Sequence, residues 1–241
     1  TTGHSNVANG YGALYTNTTG YYNVANGFNA LYFNLSGYRN VATGFRALYS
    51  NTTATNNTAT GYESLLSNTT GANNTGIGRS ALTSNTTGGN NTALGYVALS
   101  ENITGASNTA SGYAALWLNT YGAQNTATGR EALRSNTTAH NNTATGYLSL
   151  FANTTGASNT AMGVSSLRTN TTGIDNAAHG VNSLYYNTTG RYNTAIGSHS
   201  LFNNITGSGN IGIGGFTSGA SLSPVFNPTT HNNRLCMGST G

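Results

Sequence analysis

Residues 68–99, "NTTGANNTGIGRSALTSNTTGGNNTALGYVAL", carry nearly one message twice. Asn74 and Asn91 stand 17 residues apart, and asparagine recurs on the same spacing at Asn6, Asn23, Asn40, Asn57, Asn108, Asn125, Asn142, Asn159, Asn176, Asn193 and Asn210. Thirteen anchors with twelve equal intervals and no insertion define a tandem repeat. Such a period decides the architecture before any local propensity does. The unit Asn6–Tyr22, "NVANGYGALYTNTTGYY", serves as the ruler below. A row is one residue of this unit together with its equivalents every 17 positions onward.

Several rows barely vary. The Leu14 row is leucine in all twelve copies: Leu14, Leu31, Leu48, Leu65, Leu82, Leu99, Leu116, Leu133, Leu150, Leu167, Leu184 and Leu201. The Gly10 row is glycine throughout, and the Asn17 row is asparagine throughout. The Ala8 row is alanine except at Gly76 and Gly212, and the Ala13 row holds only Ala or Ser. The Gly20 row is glycine except at Ala54 and Ala139.

Two fixed glycines and two fixed asparagines in 17 residues leave no room for a stable helix. Short extended runs separated by Gly and Asn-Thr-Thr-Gly corners fit instead. The expected fold is all-β: a β-solenoid, or β-roll, of 17-residue coils stacked at about 4.8 Å. The Gly10 row should need positive φ or close backbone approach. The Leu14 row should point inward, as should the Ala8 row. The Asn6 and Asn17 rows should form amide ladders, since buried asparagine is costly unless paired. The Gly12 and Thr16 rows accept Arg, Glu, Asn, Ser and His and are expected to face water.

Ala13 and Leu14 are adjacent and both restricted. Neighbours in a strand point to opposite faces, so one of the two rows should pack against another chain. Narrow coils, the absence of insertions and the lack of a polar capping repeat at the N-terminal end point the same way. The expected assembly is a homotrimeric fibre, intertwined or side by side, with an open filament as the other form. The pattern is already running at Gly3, so the sequence reads as a piece of a longer chain.

Composition narrows the function. Charged residues make up 5% of the chain, against about a quarter in ordinary globular domains. There is no lysine; eight arginines are spread over 241 residues. The net charge of +4 therefore forms no basic footprint, and no nucleic-acid partner is expected. One cysteine, Cys236, excludes an internal disulfide framework. No apolar run reaches the ~18 residues of a membrane helix, so no membrane insertion is expected.

At this point the residues match a known pattern. "NTALGYVALSENITGASNTASGYAAL", residues 91–116, resembles the repeat region of phage tail fibres and related bacterial surface proteins. In those proteins the repeats precede an intramolecular chaperone of the endosialidase type, the peptidase S74 family. The resemblance covers residues 6 to about 214. The tail "FNPTTHNNRLCMGSTG", residues 226–241, is similar to the segment that leads into such a chaperone. A more distant similarity, at Asn193-Thr194-Ala195-Ile196-Gly197, is to the head repeats of trimeric autotransporter adhesins, and it implies a trimeric β-roll. The unit here is longer, and the Asn9 row is often Thr or Asn where the adhesin has a large aliphatic. The chain then divides into repeats over 1–209 and a last partial repeat with its C-terminal segment over 210–241. The location implied is a virion tail fibre or an extracellular cell surface.

Candidate chemistry is sparse. Catalysis needs convergent titratable groups. Glu63, Glu101, Glu131 and Asp175 sit in four different repeats, and His4, His140, His179, His199 and His231 are scattered. No metal-ligand spacing occurs. The expectation is no catalytic residue, no metal, no cofactor and no enzymatic activity. Eleven of the twelve Asn17-row residues head an N-x-[ST] sequon. Asn119 keeps the asparagine but loses the sequon at Tyr121, which favours an amide required by structure over a glycan acceptor.

The Tyr11 and Tyr15 rows are rich in aromatics. Tyr11, Tyr15, Tyr32, Tyr49, Tyr62, Tyr96, Tyr113 and Trp117 are candidate glycan contacts through their ring faces. The competing reading is a half-buried ladder that stabilises the stack. Two functions follow. The first is a structural shaft of a homotrimeric viral or cell-surface fibre that presents an attachment module. The second is a glycan- or ice-binding adhesin that uses its Tyr or Thr rows, such as the Thr-x-Thr of Thr58–Thr60, Thr126–Thr128 and Thr143–Thr145.

Overall fold

The computed structural model describes residues 2–215 and 229–237. The chain divides into two compact units, Thr1–Ala123 and Gln124–Gly241. Each unit is a β-solenoid in which one repeat makes one coil. Unit 1 contains β1 (Val7–Asn9), β2 (Val24–Asn26), β3 (Val41–Thr43), β4 (Thr58–Thr60), β5 (Thr75–Ile77), β6 (Thr92–Leu94) and β7 (Thr109–Ser111). Unit 2 contains β8 (Thr126–Thr128), β9 (Thr143–Thr145), β10 (Thr160–Met162), β11 (Ala177–His179), β12 (Thr194–Ile196), β13 (Ile211–Ile213) and β14 (Leu235–Met237). There is no helix among the described residues.

Consecutive strands within a unit pair in parallel and in register, Val24 with Val41 and Ala42 with Ala59, for example. The strands are only three residues long, yet the backbone ladder continues round the rest of the coil. Leu31 N donates to Ala47 O at 3.1 Å, Phe33 N to Tyr49 O at 3.1 Å, and Leu35 N to Thr52 O at 2.9 Å. A strict 17-residue period is what allows this. One residue inserted into the paired backbone, and not looped out of it, would put every following donor out of register.

The strand residues alternate as a pleat requires. The Ala8 row is fully buried at Ala25, Ala42, Ala93 and Ala110, while the Val7 and Asn9 rows lie partly or fully exposed on either side of it. Beyond the strand the backbone turns at Gly10, whose row has φ between 110° and 145°. A Cβ on these glycines in unit 1 would meet the carbonyl oxygen of the next coil's glycine at 2.3–2.6 Å. Both expected reasons for glycine therefore hold here.

The leucine row is the core. Leu31 through Leu184 are fully buried and Leu201 is nearly so; Leu14, in the first coil, is half-buried. Every one of the twelve has φ between 49° and 55°, the left-handed region that L-residues avoid. That conformation costs roughly 1–2 kcal/mol. Burying a leucine side chain contributes about 1.5–3 kcal/mol. Burial therefore holds the strained backbone in place, coil after coil.

This geometry corrects the interface argument drawn from Ala13 and Leu14. Ala30, Ala47, Ala81, Ala98, Ala115 and Ala132 are as completely buried as the leucines beside them, within the single chain. Strand alternation fails here because the leucine bends left-handed, so both neighbours enter the same interior. The Ala13 row supplies no surface for a second chain. The Gly12 row is likewise less open than expected: Ala114, Leu148 and Ser165 are buried.

The two asparagine rows close the corners. Along the Asn17 row, Asn34 Nδ2 donates to Asn17 Oδ1 at 2.8 Å and Asn51 Nδ2 to Asn34 Oδ1 at 2.7 Å. The same nitrogens also donate to the Gly20-row carbonyl three residues on, Asn34 to Gly37 at 3.0 Å. The Asn6 row works mainly through backbone. Asn40 N donates to Asn23 Oδ1 at 3.0 Å, and Asn23 Nδ2 donates to Gly37 O at 2.8 Å. Full burial is thus matched by full pairing, as a low-dielectric interior demands.

The C-terminal segment adds a strand that the period does not announce. β14 pairs with β13, Ile211 with Leu235, although 24 residues separate them instead of 17. Arg234 stands where an Asn6-row residue would be, and its N donates to Asn210 Oδ1 at 3.0 Å. Ile211 N donates to Arg234 O at 2.7 Å. The remainder of the expected lead-in segment lies outside the described residues.

Candidate functional surface

The candidate aromatic residues lie on two rows, and the coil spacing brings each ring against its equivalent one coil away. In unit 1 the Tyr11 row stacks as Tyr11–Phe28–Phe45–Tyr62, with centroids 5.4, 5.4 and 5.1 Å apart and planes within 16° of parallel. Arg79 occupies the next place. Its guanidinium lies 5.5 Å from the Tyr62 centroid and 5.7 Å from that of Tyr96. Tyr96 then stacks on Tyr113 at 5.5 Å. The arginine continues the stack because a planar cation over an aromatic face is attracted by the ring quadrupole.

The Tyr15 row stacks as Tyr15–Tyr32–Tyr49 at 5.1 and 5.4 Å. Phe33 sits edge-on to Tyr32 and Tyr49. Arg46 lies 5.2 Å from the Phe45 centroid and 5.5 Å from that of Tyr49, so it links the two rows. In unit 2 the second row pairs Arg134 with Phe151, Arg168 with Tyr185, and Tyr185 with Phe202. A further stack, His4–Tyr21–Tyr38, runs along the Tyr21 row and was not foreseen. Its signal is plain in retrospect: two tyrosines 17 residues apart.

Exposure separates the candidates. Tyr11, Tyr15, Tyr62, Tyr96 and Tyr113 are exposed, whereas Tyr32, Tyr49 and Trp117 are half-buried. The faces, however, are covered. Tyr62 has Phe45 on one face and Arg79 on the other; Tyr96 has Arg79 and Tyr113; Tyr32 has Tyr15 and Tyr49. Sugar rings bind aromatics through an open face. These rings offer edges instead, so face-on glycan stacking is blocked at Tyr32, Tyr62 and Tyr96.

The sequons receive a structural answer. Asn34, Asn51, Asn68, Asn85, Asn102 and the later members of the Asn17 row are fully buried, and their side-chain nitrogens are committed to the ladder. A glycan on any of them would break a rung. The threonines beside them divide by role. Thr52, Thr69 and Thr86 donate their hydroxyls to the next coil's carbonyl at 3.0–3.1 Å. Thr53, Thr70, Thr87 and Thr104, one residue further on, are exposed and their hydroxyls take no partner among the described residues. The sequence reading passed over this outer row because it saw only the sequon.

The titratable groups stay apart. Glu63 approaches Arg46 at 4.0 Å in unit 1, and Glu131 approaches Arg130 at 3.3 Å in unit 2. Among the described residues no group of three His, Cys, Asp or Glu could hold a metal ion, and no helix is long and apolar enough to cross a membrane. The chain matches no protein-family model, and no curated protein matches it.

Proposed function

We propose that this chain is a structural shaft: part of a homotrimeric viral tail fibre or cell-surface fibre that presents an attachment module. The observation that carries the reading is the division of labour within each coil. The interior rows (Ala8, Ala13, Leu14, Asn6, Asn17 and Gly20) are nearly invariant and buried, while the outer rows change freely without altering the coil. Such a design propagates a backbone and leaves its surface open to variation. The trimer rests on the resemblance to fibre repeats and on the exposed outer apolar rows, no longer on the Ala13 row.

Electron microscopy of the purified chain with its symmetry determined tests the proposal. Fibres with threefold symmetry are expected. A folded monomer at 24.7 kDa by light scattering would overturn the trimer.

The adhesin reading keeps one supporting observation, the row of free hydroxyls at Thr53, Thr70, Thr87 and Thr104. Thermal hysteresis of a folded sample tests its ice-binding form. Freezing at the equilibrium temperature would remove it.

A further inference from the structure

In unit 1 several tyrosines lie ring against ring with another tyrosine, and each such pair joins two consecutive coils. Tyr21 stacks on Tyr38 with centroids 4.8 Å apart and planes 2° from parallel. Tyr32 is stacked on both faces, by Tyr15 at 5.1 Å and 11° and by Tyr49 at 5.4 Å and 26°. The period causes this: where tyrosine falls on one row in successive repeats, a phenol meets a phenol. Other tyrosines are placed differently. Tyr62 has Phe45 on one face and Arg79 on the other. Tyr21 and Tyr22 meet edge-on at 77°, as do Tyr185 and Tyr186 at 76° in unit 2.

Parallel phenols one coil apart have a chemistry that isolated ones lack. A phenol that loses one electron and its proton becomes a phenoxyl radical. The unpaired electron is shared between the oxygen and the ring carbons ortho and para to it. The para carbon carries the side chain, so two such radicals couple through their ortho carbons, the Cε atoms. The new bond grows from p orbitals perpendicular to each ring. Parallel rings point these orbitals at one another, and edge-on rings do not. After the Cε–Cε bond forms, each bonded carbon gives up its hydrogen and each oxygen takes one, which restores both phenols. Two electrons and two protons leave in total. Hydrogen peroxide, acting through a peroxidase, accepts them and becomes two molecules of water. Holding both rings in place turns a chance encounter of radicals into a step within one chain.

We propose that the stacks Tyr15–Tyr32–Tyr49 and Tyr21–Tyr38 are sites of oxidative cross-linking, at which a one-electron oxidant joins consecutive coils through a carbon–carbon bond. Access and restraint are both present. Tyr15 is 72% exposed, and the other four rings are half-buried, so an oxidant reaches them and protons can leave to water. The backbone beside them is held by the ladder: Thr16 N donates to Tyr32 O, Phe33 N to Tyr49 O and Arg39 N to Tyr21 O, each at 3.1 Å. One coil separates the paired residues along the stack, about 4.8 Å. With one cysteine, the chain has no internal disulfide to do this work. Each link closes a loop of one repeat and restrains the unfolded chain as other cross-links do. The proposal stands apart from the shaft reading and needs no particular oligomeric state.

The test treats the folded full chain, at low concentration, with peroxidase and hydrogen peroxide. Dityrosine fluorescence should appear in a product that still runs at the 24.7 kDa chain mass on a denaturing gel and has lost two hydrogens per link. Without lysine, trypsin cuts after arginine only, so Tyr32 and Tyr49 fall in different peptides, 1–39 and 47–79. The peptide map uses Tyr15→Phe, which keeps a ring in the stack and leaves Tyr32 a single tyrosine partner. In that background the two peptides should be recovered joined. Adding Tyr49→Phe should abolish the joined pair, and adding Tyr62→Phe should leave it. Peptide 1–39 should also carry an internal link that Tyr38→Phe removes. A folded chain without dityrosine, a yield no lower when the chain is denatured before oxidation, links only between chains, or a joined pair that survives Tyr49→Phe overturns the proposal.

Discussion

Asn68 Nδ2 reaches Asn51 Oδ1 across 3.2 Å, while the next rung of the same ladder, Asn85 to Asn68, is 2.8 Å long. The cause sits three residues from Asn51. Ala54 stands in the Gly20 row, where a Cβ on the neighbouring Gly37 would meet Asn34 Oδ1 at 2.3 Å. The methyl of Ala54 displaces the amide it crowds. Unit 2 repeats the effect: beside Ala139, the Asn153-to-Asn136 rung is 3.0 Å, against 2.8 Å for Asn170 to Asn153.

Gly71→Ala should therefore be tolerated at a cost of about 1–3 kcal/mol, the range for overpacking a filled core. Its Cβ would lie 2.3 Å from Gly88 O and 2.6 Å from Asn68 Oδ1, so the ladder must yield as it does beside Ala54. Gly71→Val should not fold. Denaturant unfolding of the two variants checks both outcomes. A valine variant as stable as the alanine one would show that the corner is not packed as described.

At Leu99 two truncations should reverse their usual order. Leu99→Ala removes a fully buried side chain and should cost about 2–5 kcal/mol. Glycine in place of alanine normally costs up to a further 1 kcal/mol. Here φ is 51°, a conformation glycine adopts freely and alanine does not. Leu99→Gly should thus be no less stable than Leu99→Ala, as read from paired thermal melts.

Ala98→Arg places a cation in an interior with no acid beside it. It should unfold unit 1 irrespective of oligomeric state, because Ala98 is fully buried within its own chain. Circular dichroism of the variant at low concentration checks this. Retained β signal with loss of oligomer mass alone would return the Ala13 row to an interface.

Arg79→Ala should open the stack between Tyr62 and Tyr96 and destabilise the chain by about 1 kcal/mol. Arg79→Tyr should restore it, extending the ring stack from Tyr11 to Tyr113, with a gain of about 0.5–1.5 kcal/mol over the alanine variant. Near-ultraviolet circular dichroism reports the ring coupling, and melting reports the energy.

Expression in a glycosylating host should yield folded chains with no sugar on the buried Asn17 row, Asn34 to Asn204. The Asn85 amide donates to Asn68 and to Gly88, and a sugar on that fully buried nitrogen would remove one of its two hydrogens and so one of these bonds. Mass spectrometry of the β-structured fraction gives the answer; sugar on Asn85 there would contradict the buried ladder.

The sequence by itself determined what stacks on what. A fixed period of 17 places each residue over its equivalent, so the buried leucine row, the amide ladder, the need for glycine at Gly10 and the ring stacks of the Tyr11 and Tyr15 rows were legible before any coordinates. It did not determine which way a side chain points within a coil. That depends on backbone dihedrals, and only glycine announces an unusual one. Nothing in a leucine predicts φ near 50°, and this bend is what turned Ala98 and Leu99 into the same interior and removed the expected outer face. The covered faces of Tyr62 and Tyr96 likewise follow from a ring-to-ring distance that composition cannot supply. The strand at Leu235–Met237 escaped the period because backbone pairing needs strand register and not sequence identity, so Arg234 could take an asparagine's place through its main chain alone.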